Sequence, residues 1–156
     1  IMRSEGRTEE DALNVLAQRA RDNSRTPMQW SAEKNAGFSD GVAWLEINEN
    51  YKSINVEAEE RDQNSILNYY RKLVQLRKHL RVISDGGIKF LDVGNQKIFA
   101  YVRTLGNEQV FVVCNFSGEE QKISGVLPEN CEVIITNYEQ ANTKTLRPYE
   151  AFAVKI

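Results

Sequence analysis

Between residues 21 and 30 the chain reads Arg-Asp-Asn-Ser-Arg-Thr-Pro-Met-Gln-Trp, which places two guanidiniums, a carboxylate, two amides and an indole within ten residues. A guanidinium presents a rigid fork of donors that holds a carboxylate or a pair of neighbouring hydroxyls. The structural alternative is that one of the two arginines, Arg21 and Arg25, is a helix-end cation and the other one half of a structural ion pair. A second concentration of reactive groups is the acidic run Glu57, Glu59, Glu60 and Asp62. Two carboxylates can serve as the acid and nucleophile of a retaining glycosidase, but only when held about 5 Å apart across a rigid cleft. Carboxylates just ahead of a helix are explained by its dipole and by solvation, and the run is read that way. The single histidine, His79, stands among Arg77, Lys78 and Arg81, where positive charge suits a helix C-terminus, and is not expected to be catalytic.

Cys114 lies inside an apolar run and Cys131 beside a turn, with no second cysteine or histidine at metal-ligand spacing near either. Two reduced, inert thiols are expected, and with them a cytoplasmic protein. There is no Gly-rich phosphate loop, no Ser/His/Asp constellation and no internal repeat, so neither a cofactor nor a metal is expected.

The elements that must position these groups follow from local pattern. Thr8-Glu9-Glu10-Asp11 has the form of a capping box, and Leu13, Leu16, Ala17 and Ala20 recur at helical spacing, predicting a surface helix from Glu9 to about Arg21. Asp22, Asn23 and Ser24 compete with the backbone and end it; Pro27 forbids its continuation and pushes Thr26 towards an extended conformation. The two arginines therefore fall at a helix-to-loop junction. Residues 24 to 60 show little periodicity, yet Trp30, Phe38, Trp44 and Tyr51 are spread along them. Such a loop is unusual in a compact domain. Its aromatics are expected to pack on a larger body of protein, with sugar stacking by Trp30 or Trp44 as the rival reading.

A strong helix is predicted from about Ser65 to Leu80, with Asp62, Asn64 and Ser65 as candidate caps and Ile66, Tyr70, Leu73, Leu76 and Leu80 on one face. Asp85-Gly86-Gly87 then marks a change to strand patterns. Residues 88–91, 98–104 and 110–116 form an expected antiparallel meander punctuated by Gly94-Asn95 and Gly106-Asn107, with shorter strands at 121–124, 132–137 and 151–156. Six strands are enough for a small sandwich or open barrel. The strands from Ile98 and Val110 are apolar on both faces, as expected if one fills the core and the other docks on a neighbour.

Twenty basic and 22 acidic residues, interspersed along 156, give a net charge of −2, which makes nucleic acid and anionic membranes unsuitable partners. With 41% hydrophobic residues a modest core is expected, and the longest apolar run, Val110 to Cys114, is far too short to span a bilayer. The amphipathic stretch already under way at Ile1 fits an excised segment.

The stretch from Arg21 to Trp30, followed by Asn35-Ala36-Gly37-Phe38-Ser39 and Ile54-Asn55-Val56-Glu57, resembles the α-glucosidase branch of the α-amylase family over nearly the whole chain. Within that branch it is similar to the oligo-1,6-glucosidases, dextran glucosidases and trehalose-6-phosphate hydrolases, and to their last third only. Leu76-Arg77-Lys78 and Leu146-Arg147-Pro148-Tyr149-Glu150-Ala151 resemble, respectively, the end of the last barrel helix and the closing segment of the C-terminal β domain.

The resemblance implies an α+β chain: residues 1–84 from the end of a (β/α)8 barrel, then an all-β antiparallel C-terminal domain at 85–156. It implies a retaining exo-acting enzyme on α-1,6-glucosides, or alternatively on trehalose 6-phosphate, whose three catalytic carboxylates lie upstream of Ile1. Arg25 would bind the terminal glucose of a small α-glucoside, with Arg21 and Asp22 fixing its rotamer; Gln29 and Trp30 would pack beside it. The fragment alone would be inactive and would self-associate through the surface left by the missing barrel. The rival from another class is a non-catalytic β module, either carbohydrate-binding or scaffolding: coplanar exposed aromatics on the β domain would favour sugar, a dry apolar face docking.

Overall fold

The computed structural model describes residues 6, 8–19, 21–123 and 125–156, the side chains of 17–19 excepted. The amphipathic stretch at Ile1, Ala20 and the side chain of Ala17 in the first apolar stripe, and Ser124 at the end of the expected fourth strand lie outside the described residues. Contacts divide the chain into two compact units, Ile1–Asn68 and Tyr69–Ile156.

The first unit opens with α1, Glu9–Arg19. Its capping box forms as read. Thr8 Oγ1 accepts the Asp11 N–H at 3.1 Å, and the Asp11 carboxylate accepts the Thr8 N–H at 3.0 Å. The helix is described to Arg19 and gives way by Arg21, where residues 21–24 wind more tightly. Arg21–Ser24 form a 3-10 turn in which the Ser24 hydroxyl donates to the Arg21 carbonyl at 3.0 Å, the local competition that Ser residues offer. Leu13 and Leu16 remain exposed, so the thin stripe of α1 is uncovered.

Residues 25–65 are more ordered than their lack of periodicity predicts. A tight turn occupies Lys34–Gly37, with positive φ at Asn35, Ala36 and Gly37, a short 3-10 turn occupies Glu49–Lys52, and α2 spans Val56–Arg61. The acidic run belongs largely to α2 itself and does not merely precede a helix. Asn55 caps α2, its Oδ1 accepting the Ala58 N–H at 2.9 Å while its Nδ2 donates to the Tyr51 carbonyl at 2.8 Å. The longer α3, Ile66–His79, is capped by Ser65, whose Oγ accepts the Asn68 N–H at 3.2 Å.

The second unit is built on a sheet of five antiparallel strands, β1 (Gly87–Phe90), β2 (Ile98–Leu105), β3 (Glu108–Asn115), β5 (Glu132–Thr136) and β7 (Ala151–Lys155), in the order β1-β2-β3-β7-β5. The expected meander is its first half, with Leu105 opposite Glu108 across the Gly106-Asn107 turn. A separate pair joins β4 (Gln121–Lys122) to β6 (Thr145–Leu146), a two-residue strand that the sequence pattern does not reveal. Among the described residues this pair is all there is of a second β layer. Ile123 and Leu146 bring it onto Ile98, Ala100, Val113, Phe152 and Val154, which share one face of the sheet. On the opposite face, Val110 and Ala153 meet Val82 of the short α4, Arg81–Ser84.

Gly86 joins α4 to β1 where only glycine fits: a Cβ there would lie 2.4 Å from the Val82 carbonyl oxygen. Full burial of a Phe, Leu, Ile or Val side chain is worth about 1.5–3 kcal/mol. The second unit buries Phe152, Ile123, Leu146, Val82, Val110, Val113 and Val154, whereas among the described residues of the first Ala36 is the only buried apolar side chain. Among the described residues no helix is long and apolar enough to cross a membrane.

Candidate functional site

Arg25 emerges from the 3-10 turn with its N–H donated to the Asp22 carbonyl at 2.9 Å. Its guanidinium Nη1 stands 3.8 Å from Asp22 Oδ1, an ion pair too long to be a hydrogen bond. About half of the Arg25 side chain is open to solvent, which leaves its planar fork of N–H donors accessible to a ligand. Arg21 forms no ion pair among the described residues; it supplies the carbonyl that the Ser24 hydroxyl holds. The turn thus brings Asp22 and Arg25 together and leaves Arg21 beside them.

Beyond Pro27 the chain is gripped through its backbone. The carbonyls of Gln29 and Trp30 accept the N–H groups of Val56 and Glu57 at 2.9 and 3.0 Å, and the Gln29 amide donates to the Ile54 carbonyl. On the other side the N–H groups of Trp30 and Ser31 both point to the Ala36 carbonyl, at 2.8 and 3.0 Å. The three sequence stretches singled out above, around Arg25, Asn35 and Asn55, are therefore one hydrogen-bonded body. Gln29 is a structural tie here, and the Trp30 indole is half exposed.

The acidic run holds the fold. Glu57 pairs with Arg61 one turn on, the Glu59 carboxylate accepts the Leu67 N–H at 3.3 Å, and the Asp62 carboxylate accepts the Asn64 N–H at 2.9 Å. His79 Nδ1 donates to the Gln75 carbonyl at 2.8 Å at the exposed end of α3. No cluster of three metal-ligating side chains occurs among the described residues.

In the second unit a cleft of about 240 Å³ lies between Tyr69, Leu73 and Leu76 of α3 and the sheet residues Tyr101, Val112 and Cys114. Burial pushes the Tyr69 and Tyr101 hydroxyls and the Cys114 thiol up, so all three stay protonated at neutral pH. The one cation on its wall, Arg103, donates to the carbonyls of Val82 and Gly86. Nothing in this cleft pairs a nucleophile with a base. Cys114 and Cys131 are both free thiols.

Four aromatic rings, Phe90, Phe99, Tyr101 and Phe116, cluster on the sheet with centroids 5.6–6.4 Å apart and interplanar angles of 48–76°. Tilted rings of this kind offer no flat platform for a pyranose. Residues that sequence reasoning missed are the left-handed run Asn35–Gly37 and the buried carboxylate of Glu150. Asn-x-Gly hinted at the first, since Asn and Gly tolerate positive φ; nothing in Arg-Pro-Tyr-Glu hinted at the second.

Two family models match the chain: the α-amylase catalytic domain over residues 1–86 and the α-amylase SusG C-terminal domain over residues 98–152. An α-glucosidase of Candida albicans is 41% identical over 145 residues, covering 92% of this chain and 25% of its own length. An oligo-1,6-glucosidase of Bacillus cereus is 40% identical, covering 94% of this chain and 28% of its own. The solved structure of a trehalose-6-phosphate hydrolase from Bacillus licheniformis superposes with a TM-score of 0.84 at 33% identity, over 99% of this chain and 29% of that one. The chain therefore spans between a quarter and three tenths of the length of these relatives. Matched over its first 86 residues by the family's catalytic domain and beyond that by a C-terminal domain of the same family, the chain belongs to the α-amylase family.

Proposed function

We propose that this chain is the C-terminal part of a retaining exo-α-glucosidase that cleaves α-1,6-glucosidic bonds of short oligosaccharides, and that Arg25 binds the terminal glucose. The observation that carries the reading is the Arg25 fork: anchored through its backbone to Asp22, held on a segment tied down on both flanks, and left half open. A guanidinium so placed can donate two hydrogen bonds to adjacent sugar hydroxyls or to a carboxylate that itself holds the sugar. Asp22 supports it by charge and Arg21 by the turn that both share. In such an enzyme an Asp nucleophile, a Glu acid and a second Asp perform the chemistry; these would lie in the remainder of the protein.

We place the domain boundary at 84/85, between α4 and β1, whereas contacts divide the chain at 68/69. Residues 1–84 then complete the barrel and 85–156 form the C-terminal β domain. An inactive isolated chain would self-associate through the apolar surface of its first unit, where Val42 and Trp44 are almost fully exposed. Two free thiols support a cytoplasmic setting. The likeness to trehalose-6-phosphate hydrolases, 37% identical in Bacillus subtilis, favours trehalose 6-phosphate as the second substrate reading. Assaying the complete enzyme on isomaltose and on trehalose 6-phosphate separates the two: preference for the phosphorylated disaccharide overturns the first. Turnover of neither overturns both.

A further inference from the structure

Asn35, Ala36 and Gly37 have φ of 55°, 56° and 65°, three consecutive left-handed residues of which two carry a Cβ. Single residues of this kind are ordinary in turns; a run that includes alanine is strained and persists only where its surroundings over-determine it. The surroundings are on the page. The Asn35 amide donates to the carbonyls of Ser39 and Gly41 at 2.9 and 2.8 Å. The Ala36 carbonyl collects the Trp30 and Ser31 N–H groups, and its methyl is wholly buried. Gly37 is pressed so closely on Ser31 that a Cβ would come within 2.6 Å of its Oγ.

The strand of chain held by this run is held from behind as well, since the Gln29 and Trp30 carbonyls take the Val56 and Glu57 N–H groups. Between Trp30 and Arg25, Pro27 fixes its own φ and restricts Thr26 to extended backbone, which stiffens the link through which a shift at Trp30 reaches Arg25. We infer that Asn35, Ala36 and Gly37 are a strained backbone clamp that aims Arg25, which makes Asn35 and Gly37 positioning residues for the glucose subsite. The inference rests on the assignment of Arg25 above. A misplacement of about 1 Å in a positioning group is enough for losses of up to about a hundredfold.

The test uses the complete enzyme with an aryl α-glucoside, and compares wild type, Arg25→Lys, Gly37→Ala, and Gly37→Ala combined with Ser31→Ala. Gly37→Ala drives a methyl into the Ser31 hydroxyl. It is expected to lower kcat at least tenfold per folded molecule, and to weaken a glucose-mimicking iminosugar in parallel. Removing the Ser31 hydroxyl relieves the collision, so the double variant is expected to regain at least threefold in kcat per folded molecule, a readout that a change in stability alone does not move. Should Gly37→Ala fail to fold, Asn35→Gly carries the same comparison, because it keeps the left-handed backbone easy while deleting both amide bonds. A loss in Arg25→Lys with unchanged kcat in the clamp variants overturns the clamp alone. No loss in Arg25→Lys overturns the subsite assignment on which it rests.

Discussion

Arg147 closes on Glu150 with three donors: its Nε and Nη2 reach the two carboxylate oxygens at 3.0 and 2.8 Å, and its own backbone N–H adds a third bond at 2.8 Å. Glu150 is fully buried, while the Arg147 side chain is partly exposed and lies with Cζ 3.9 Å above the Tyr138 ring. Tyr149 between them adopts φ 55°, which turns the chain tightly enough for residues 147 and 150 to face each other. The Tyr138 hydroxyl then ties the loop by donating to the Pro148 carbonyl at 2.7 Å.

The two partners should not be equivalent. Arg147→Met leaves a carboxylate buried without its cation and is expected to cost about 3–5 kcal/mol. Glu150→Gln leaves a guanidinium that water can still reach, and should cost less, about 1–3 kcal/mol, the value of the lost charge-assisted bonds. Urea denaturation of both variants checks the order; equal losses would mean that the loop relaxes around either vacancy.

The same pair predicts a pH dependence. Burial alone would raise the Glu150 carboxyl, but the bonds and charge of Arg147 outweigh it and hold the carboxyl below the usual glutamate range. A carboxyl depressed on folding stabilises the protein above its unfolded pKa and loses that contribution as pH falls through the folded one. The melting-temperature gap between wild type and Glu150→Gln should therefore be full at about pH 6 and shrink towards about pH 3. A gap that widens on acidification would reverse the assignment.

For Arg25 the expected signature is kinetic. Arg25→Lys keeps the charge and loses the fork, and removing one charged hydrogen bond in a site costs about 1.5–3 kcal/mol, roughly a tenfold to hundredfold fall in kcat/KM. Part of the loss should appear in kcat, because binding at a cleavage subsite positions the reacting ring. Arg77→Lys, on the exposed last turn of α3, should change nothing. A lowered Tm with intact kcat/KM would make Arg25 a structural residue.

The isolated chain is expected to hydrolyse no aryl α-glucoside. Glu57, Glu59 and Asp62 are engaged with Arg61, Leu67 and Asn64 in and around α2. Turnover by highly purified protein, resistant to further fractionation, would show a carboxylate pair in this segment after all.

Amide exchange should divide the chain. Slow exchange is expected in β2, β3 and β7, which carry Ala100, Val113, Phe152 and Val154, and fast exchange around Val42 and Trp44, which are almost fully exposed. Equal protection of both regions in dilute monomer would show a core in the first unit that its side chains do not display.

What the sequence made legible was local. The period of Leu73 and Leu76, the alternation at Ile98, Ala100 and Val102, and the Gly106-Asn107 turn each announce themselves within a few residues. α2 escaped because six residues with Val56 and Ala58 as their only apolar members carry no period; what makes it helical is the Asn55 cap and the neighbouring carbonyls of Gln29 and Trp30. β6 escaped because a two-residue strand exists only by pairing with β4. At the candidate site Arg21, Asp22 and Arg25 were legible as a motif, whereas the burial of Glu150 in the second unit was not. A charged residue after Pro-Tyr reads as surface until the left-handed turn at Tyr149 folds it inward.

The order of the sheet has a consequence for how the protein is made. β7, last of the strands in the chain, lies between β3 and β5 and pairs with both. During synthesis from the N-terminus, β3 waits with a bare edge and β5 waits with no ladder at all until residues 151–155 clear the ribosome. The sheet thus closes from its interior only once this segment has emerged, and a nonsense codon just before Ala151 would delete the joint that makes two separate β pieces one.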